Sequence, residues 1–254
     1  MAIVYAHRGA CVELPENTLP AFRRALELGV DAIETDAHVT RDGVAVLAHD
    51  DHGARMCGVD RRIADCTWDE VKTWDAGWGH HDKTGFRPFI GRDYRIPSLE
   101  EVLRTLPEAR LNLDAKQRDP RAVDRILETI RIARAEDRVN LVSFHAANVR
   151  RVREARWRGG TGLCQREVIR LITQPIAVLR RIKLGGDRAQ VPARMGPIRF
   201  DTRGFVVKAH TLGLKVDYWV IDDPEEAKRL VDLGADGIMT DDPARIVPAV
   251  KGPR

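Results

Sequence analysis

The stretch Lys215–Thr240, KVDYWVIDDPEEAKRLVDLGADGIMT, decides the fold. It opens on a strand candidate over Lys215–Ile221, passes into a helix starting near Pro224, and returns to a strand over Gly237–Thr240. Two strands joined in this way lie parallel, because a parallel neighbour needs a covering crossover, and that crossover is right-handed. The same alternation extends towards the N-terminus. Strand candidates lie at Asn140–Phe144, Thr161–Gln165 and Ala189–Pro192, with helices starting near Asn148, Glu167 and Arg203. Further upstream are Ile3-Val4-Tyr5, the short apolar stretches Asp31–Thr40 and Val44–Asp50, and a strand over Arg110–Lys116. Asn17 or Thr18 caps an amphipathic helix that Gly29 stops, Ser98 with Glu101 makes a capping box for a helix through Leu106, and another helix runs from about Pro120 to Glu136.

Strands counted through Ile3, Ala32, Leu111, Leu141, Gly162, Ala189, Val216 and Gly237 number eight. Eight βα units favour an α/β fold closed as a (β/α)₈ barrel over an open doubly wound sheet, and no GxGxxG phosphate loop follows the first strand. Residues 51–97 break the rhythm with many Gly and Pro and hold three of the five tryptophans. They read as a small insertion after the second strand, with one short helix near Trp68–Asp75, so residues 1–254 are expected to form a single barrel domain.

A chain of 254 residues with 43% hydrophobic and 31% charged residues is a globular protein rather than a disordered one. The net charge of +4 is too small to argue for nucleic acid. Residues 1–9 read as a strand, without a basic segment leading into an apolar one, and no long apolar run occurs, so a cytoplasmic location without stable membrane insertion is expected. Cys11, Cys57, Cys66 and Cys164 form no CxxC pair and are expected to be reduced thiols.

In a barrel the chemistry sits at the C-terminal strand ends, and these are unusually polar. The first strand ends in Ala6-His7-Arg8-Gly9, the second in Glu34-Thr35-Asp36, its hairpin partner in His49-Asp50 and the third in Asn112-Leu113-Asp114-Ala115-Lys116. Side chains two apart share a face, so Glu34 points with Asp36, and Asn112 with Asp114 and Lys116. Burying such groups is costly unless they pair or bind a cation. Three carboxylates beside Arg8 and Lys116 suggest a metal and an anion.

His7-Arg8-Gly9, Pro15-Glu16-Asn17-Thr18, Glu34-x-Asp36, His49-Asp50 and Asp114-x-Lys116 together resemble the glycerophosphodiester phosphodiesterase family. The similarity continues through Pro97–Leu103, Gln190-Val191-Pro192, the Trp219 strand and Gly237–Pro243. The resemblance implies a TIM barrel that hydrolyses glycerophosphodiesters, small-molecule substrates, to sn-glycerol 3-phosphate and an alcohol with a divalent cation, Mg²⁺ or Ca²⁺. It further implies His7 and His49 as general acid and base, Glu34, Asp36 and Asp114 as metal ligands, and Arg8 and Lys116 as phosphate-binding cations; Trp219 reads equally as a core aromatic and as a wall against which a glycerol backbone packs. Two positions depart from the family pattern. Asp114 stands where Glu is commoner, and Trp219-Val220-Ile221-Asp222 replaces Trp-Thr-Val-Asn.

The other histidines, His38, His52, His80, His81, His145 and His210, read as structural. A fifth outer helix carrying Ile169, Leu171, Ile172, Ile176, Val178, Leu179 and Ile182 around Pro175 is more apolar than its neighbours. That leaves room for a homodimer or an acyl-chain contact. Two rival functions follow: a lysophospholipase D or sphingomyelinase-like lipid phosphodiesterase, and a non-catalytic barrel that binds a phosphate ligand.

Overall fold

A computed structural model describes residues 2–252. The chain runs β1 (Ile3–His7), α1 (Leu19–Leu28), β2 (Ala32–Val39), β3 (Ala45–Leu47), α2 (Ala54–Cys57), α3 (Trp68–Val71), α4 (Leu99–Thr105), β4 (Leu111–Ala115) and α5 (Pro120–Ile132). It continues through β5 (Val139–Val142), α6 (Ala146–Glu154), α7 (Gln165–Thr173), α8 (Ile176–Ile182), β6 (Arg188–Val191), β7 (Arg194–Met195), β8 (Ile198–Arg199), α9 (Arg203–Thr211), β9 (Lys215–Tyr218), α10 (Pro224–Leu233), β10 (Gly237–Thr240) and α11 (Pro243–Lys251).

The main strands pair in the order β5-β4-β2-β1-β10-β9-β6, all in parallel, while β3 lies antiparallel to β2. The sheet curls until its two edges meet across Thr161 and Gly162, which bridge Leu141 of β5 on one side and Arg188 of β6 on the other. Leu141 N donates to Gly160 O (3.0 Å) and Leu163 N to Arg188 O (2.8 Å), so the barrel closes through a two-residue seam. The expected strand Thr161–Gln165 shrinks to that seam because Glu167 caps the Cys164 amide (3.0 Å) and starts α7 at Gln165.

The apolar helix around Pro175 is two helices. Pro175 has no N–H and leaves Gln174 extended (ψ 144°), so the chain breaks between α7 and α8. Thr18, not Asn17, caps α1, its hydroxyl accepting from Ala21 N. The helix from Pro120 stops at Ile132, where Arg134 turns into the left-handed region (φ 54°). Within residues 51–97 the structure has α2, a 3₁₀ turn at Ile63–Asp65 and α3, in place of one helix over Trp68–Asp75. This segment packs its own small core of Cys57, Ile63, Cys66, Val71, Trp74 and Ile96 against Val46 of β3.

Two larger apolar clusters fill the space between strands and helices. One holds Phe22, Ile33, Leu111, Leu113 and Ile126, the other Val4, Val191, Val216, Tyr218, Leu230 and Ile238. The barrel interior is polar by contrast. Asp217, fully buried, accepts two hydrogen bonds from Arg188, one from Gln190 (3.1 Å) and one from Tyr5 (3.4 Å), and Gln190 continues the chain to Asn112. Gly237 makes room for it: a Cβ there would lie 2.7 Å from the Tyr5 ring and closer still to the Asp217 carboxylate.

Removing one partner of a buried ion pair strands the other. Arg188→Met is therefore expected to destabilise the fold by about 3–5 kcal/mol, read as a lower urea midpoint with unchanged slope. Arg188→Met/Asp217→Leu should recover most of that loss, and a single variant as stable as the parent would show that the pair does not hold the barrel.

Candidate active site

Strand register places the carboxylates. In the parallel pairing of β2 with β4, Glu34 stands beside Asn112 and Asp36 beside Asp114, while His7 at the end of β1 stands beside Glu34. All three carboxylates are buried, Asp36 at 1% exposure. The Lys116 ammonium bridges the neighbours, 2.9 Å from Asp36 Oδ1 and 2.9 Å from Asp114 Oδ2. Arg8 Nε lies 3.5 Å from Asp36 Oδ2, and Asn17 Nδ2 donates to the same oxygen (3.3 Å).

Burial pushes the Asp36 carboxyl up, but Lys116 and Arg8 outweigh it and hold the group below its ordinary range. For Asp114 burial prevails over Lys116 and the carboxyl is raised. Glu34 is raised well above the ordinary carboxylate range, first by burial and then by the negative Asp36 and Asp114 beside it. Burial opposes the charge on Lys116, yet Asp114 and Asp36 overcome it and strengthen its hold on the proton.

Each histidine is clamped from behind. His7 Nδ1 lies 2.6 Å from Asp241 Oδ1, and His49 Nδ1 lies 2.8 Å from Asp50 Oδ1. Burial raises both aspartates, but hydrogen bonds from the imidazoles reverse it, aided by Cys11 at Asp241 and Arg55 at Asp50, and both stay below their ordinary values. An ionised carboxylate only accepts, so the Nδ1 of each imidazole carries a proton and Nε2 is left for the site. His7 Nε2 lies 3.8 Å from Glu34 Oε2.

His7, Arg8, Glu34, Asp36, His49, Asp114, Lys116 and Trp219, the eight residues singled out from the sequence, all line one cavity of about 360 Å³. Its floor and one side are charged. The opposite wall is apolar, built from Phe144, Leu163, Val168, Ile169, Ile172, Met195, Ile198 and Phe200. Trp219 stands edge-on to Phe144, their ring centroids 6.2 Å apart, where the two meet.

Several supporting groups were not among those residues. Asp241 and Asp50 orient the imidazoles, and the adjacency of Asp50 to His49 was the available signal for the second. Asp222 accepts from Asp241 N (2.8 Å) and Thr240 Oγ1 (2.7 Å), so the residue that departs from the family pattern fixes the loop holding Asp241. Glu16 takes Arg55 (2.6 Å) and Arg8 (3.3 Å), joining α2 to the site. His38, read as structural, is buried with Nε2 3.2 Å from His49 O and supports that residue's backbone.

Among the described residues no group of three His, Cys, Asp or Glu is already gathered around a metal position. The donor set nevertheless fits a hard divalent cation in kind. Glu34 Oε2 and Asp114 Oδ1 are buried without a hydrogen-bond partner, and the carboxylates around them offer oxygen alone.

Residues 7–245 match the glycerophosphoryl diester phosphodiesterase family. A Mycobacterium tuberculosis protein named "Probable glycerophosphodiester phosphodiesterase 2" is 32% identical, over 94% of this chain and 87% of its own length. A glycerophosphodiester phosphodiesterase of Caldanaerobacter subterraneus is 30% identical over 98% of each chain. The fold is shared with a phosphodiesterase of Oleispira antarctica, solved in complex with its product sn-glycerol-3-phosphate, at a TM-score of 0.80 and 22% identity, covering 98% of this chain and 97% of that one. The chain belongs to the glycerophosphoryl diester phosphodiesterase family of phosphoric diester hydrolases.

Proposed function

We propose that the chain hydrolyses glycerophosphodiesters to sn-glycerol 3-phosphate and an alcohol, with His7 and His49 as general acid and base. The observation that carries this reading is the pair of imidazoles clamped at Nδ1 by Asp241 and Asp50, lining the same cavity as Arg8, Lys116 and three carboxylates. Glu34, Asp36 and Asp114 would hold Mg²⁺ or Ca²⁺, supported by the two orphaned carboxylate oxygens. When bound, the cation supplies Lewis-acid neutralisation of charge on the phosphate oxygens.

A phosphodiester monoanion resists an anionic nucleophile, so its non-bridging oxygens need positive partners, which Arg8 and Lys116 supply. Histidine titrates near neutral pH, which suits it to proton transfer at both the attacking and the departing oxygen. The glycerol 2-hydroxyl is positioned to attack phosphorus and close a five-membered ring, with a large effective-concentration advantage over water. One imidazole takes the hydroxyl proton and the other gives a proton to the leaving alcohol. Water then opens the 1,2-cyclic phosphate with the two roles reversed.

A second reading, a lysophospholipase D, is favoured by one observation: the apolar wall facing the charged floor, which gives an acyl chain a place to lie.

Glycerol 3-phosphate release from several glycerophosphodiesters should vanish in excess chelator and return with Mg²⁺ or Ca²⁺, and Glu34→Ala should abolish calorimetric binding of the ion by a folded barrel. Full turnover in chelator would sink the metal assignment.

His7→Ala and His49→Ala should each lower kcat by about 10² or more, and a substrate lacking the glycerol 2-hydroxyl should bind yet scarcely turn over. Hydrolysis of that substrate at the parent rate would mean that water attacks directly.

Comparing glycerophosphocholine with lysophosphatidylcholine separates the two substrate classes. On the second reading Ile172→Glu lowers turnover of the lysolipid far more than that of glycerophosphocholine, whereas equal losses would remove the acyl chain from this wall.

A further inference from the structure

Phe144, Ile169, Ile172, Met195 and Ile198 are large apolar side chains that are 37–53% exposed, and all five also line the reaction cavity. Ile169 and Ile172 are one turn apart on α7 and share a face. Met195 and Ile198 stand opposite each other across the β7–β8 hairpin, whose Gly196-Pro197 tip projects into solvent. The rim of the cavity on this side is therefore an apolar patch that continues inward to the charged floor, and exposed apolar patches mark interaction sites.

The charge around it is one-sided. From Val168 to Gly186 the sequence contains no Asp or Glu. Arg166 and Arg170 on α7, Arg180 and Arg181 on α8, and Lys183 after it are exposed, and none forms an ion pair among the described residues. Some arginines elsewhere on the surface do pair, as Arg151 does with Asp124 and Arg229 with Glu226, whereas this stretch has no acidic residue of its own to pair with. Arg166 lies one turn before Ile169, so cation and apolar side chain present the same face of α7.

We propose that this rim docks on an anionic lipid surface. An apolar patch flanked on its α7 side by unpaired cations matches an interface of acyl chains beneath negative headgroups. Continuity with the cavity selects this occupant over a protein: a rigid partner on the patch would plug the mouth, whereas a fluid surface leaves it open. The docking is peripheral, since no helix among the described residues is long and apolar enough to cross a membrane. The inference uses the catalytic reading above only in requiring an open mouth.

The test is sedimentation of the full chain with vesicles of phosphatidylcholine alone or mixed with phosphatidylglycerol, alongside turnover of water-soluble glycerophosphocholine. Binding to the mixed vesicles, weakened by salt, is expected. Arg166→Gln/Arg170→Gln should lower vesicle affinity by roughly fivefold per cation removed, with glycerophosphocholine turnover unchanged. Met195→Ser/Ile198→Ser, both at exposed positions, should also release the protein from vesicles. Failure to sediment with either vesicle, equal binding to both, or an arginine variant that binds like the parent overturns the proposal. So does a dimer in sedimentation velocity that the Met195→Ser/Ile198→Ser variant dissolves, which would assign the patch to a second copy. A parent chain that cleaves glycerophosphocholine but does not sediment with vesicles refutes the docking alone, and a parent chain that binds vesicles without any cleavage refutes the catalytic reading alone.

Discussion

Two carboxylates forced side by side organise the mouth of this barrel. The pairing of β2 with β4 sets Asp36 against Asp114 in a buried layer, with Glu34 one step below on the same face. Like charges so placed repel, and burial makes the repulsion worse because little solvent is there to screen it. Lys116 between the two aspartates and Arg8 against Asp36 answer that repulsion. What they leave unanswered, Glu34 Oε2 and Asp114 Oδ1, is the unfilled part of the cluster's electrostatic balance.

The two imidazoles reach this cluster by different routes and depend on different parts of the chain. His7 leaves β1 directly, and its anchor Asp241 comes from the far end of the sequence, held in turn by Asp222. His49 follows β3 and is anchored by its own neighbour Asp50, which Arg55 of α2 binds together with Glu16. The segment over residues 51–97, with its separate small core, is thus tied to the mouth by the Arg55 guanidinium. Arg8 itself sits in the left-handed region (φ 59°), a conformation that non-glycine residues hold at some cost and that is found where a side chain must be aimed.

Much of this was legible in the sequence because the barrel's rules are local. Strand-length apolar runs alternating with helices gave the closed sheet, and the spacing of Glu34 with Asp36 and of Asp114 with Lys116 put their side chains on one face. What escaped depended on tertiary partners or on punctuation read too lightly. Asp241 lies more than two hundred residues from His7, and no periodicity joins them. Pro175 was in plain view, yet a continuous apolar pattern on both sides of it concealed the break between α7 and α8. The Gly196-Pro197 hairpin was too short to stand out as a pair of strands, and the seam strand lost its length to the Glu167 cap.

The closure of the barrel is uneven around its circumference. The charged groups hang on the arc β4-β2-β1-β10, where neighbouring strands are joined by several consecutive register pairs. The apolar wall hangs on the opposite side, on α7 and the hairpin, beside a seam of only Thr161 and Gly162. Insertions, deletions and changes of side-chain volume are absorbed most cheaply where backbone pairing is thinnest. A lineage built on this plan can therefore remodel the apolar wall again and again while the charged arc keeps its geometry, and divergence in what the cavity admits need not disturb its carboxylates and imidazoles.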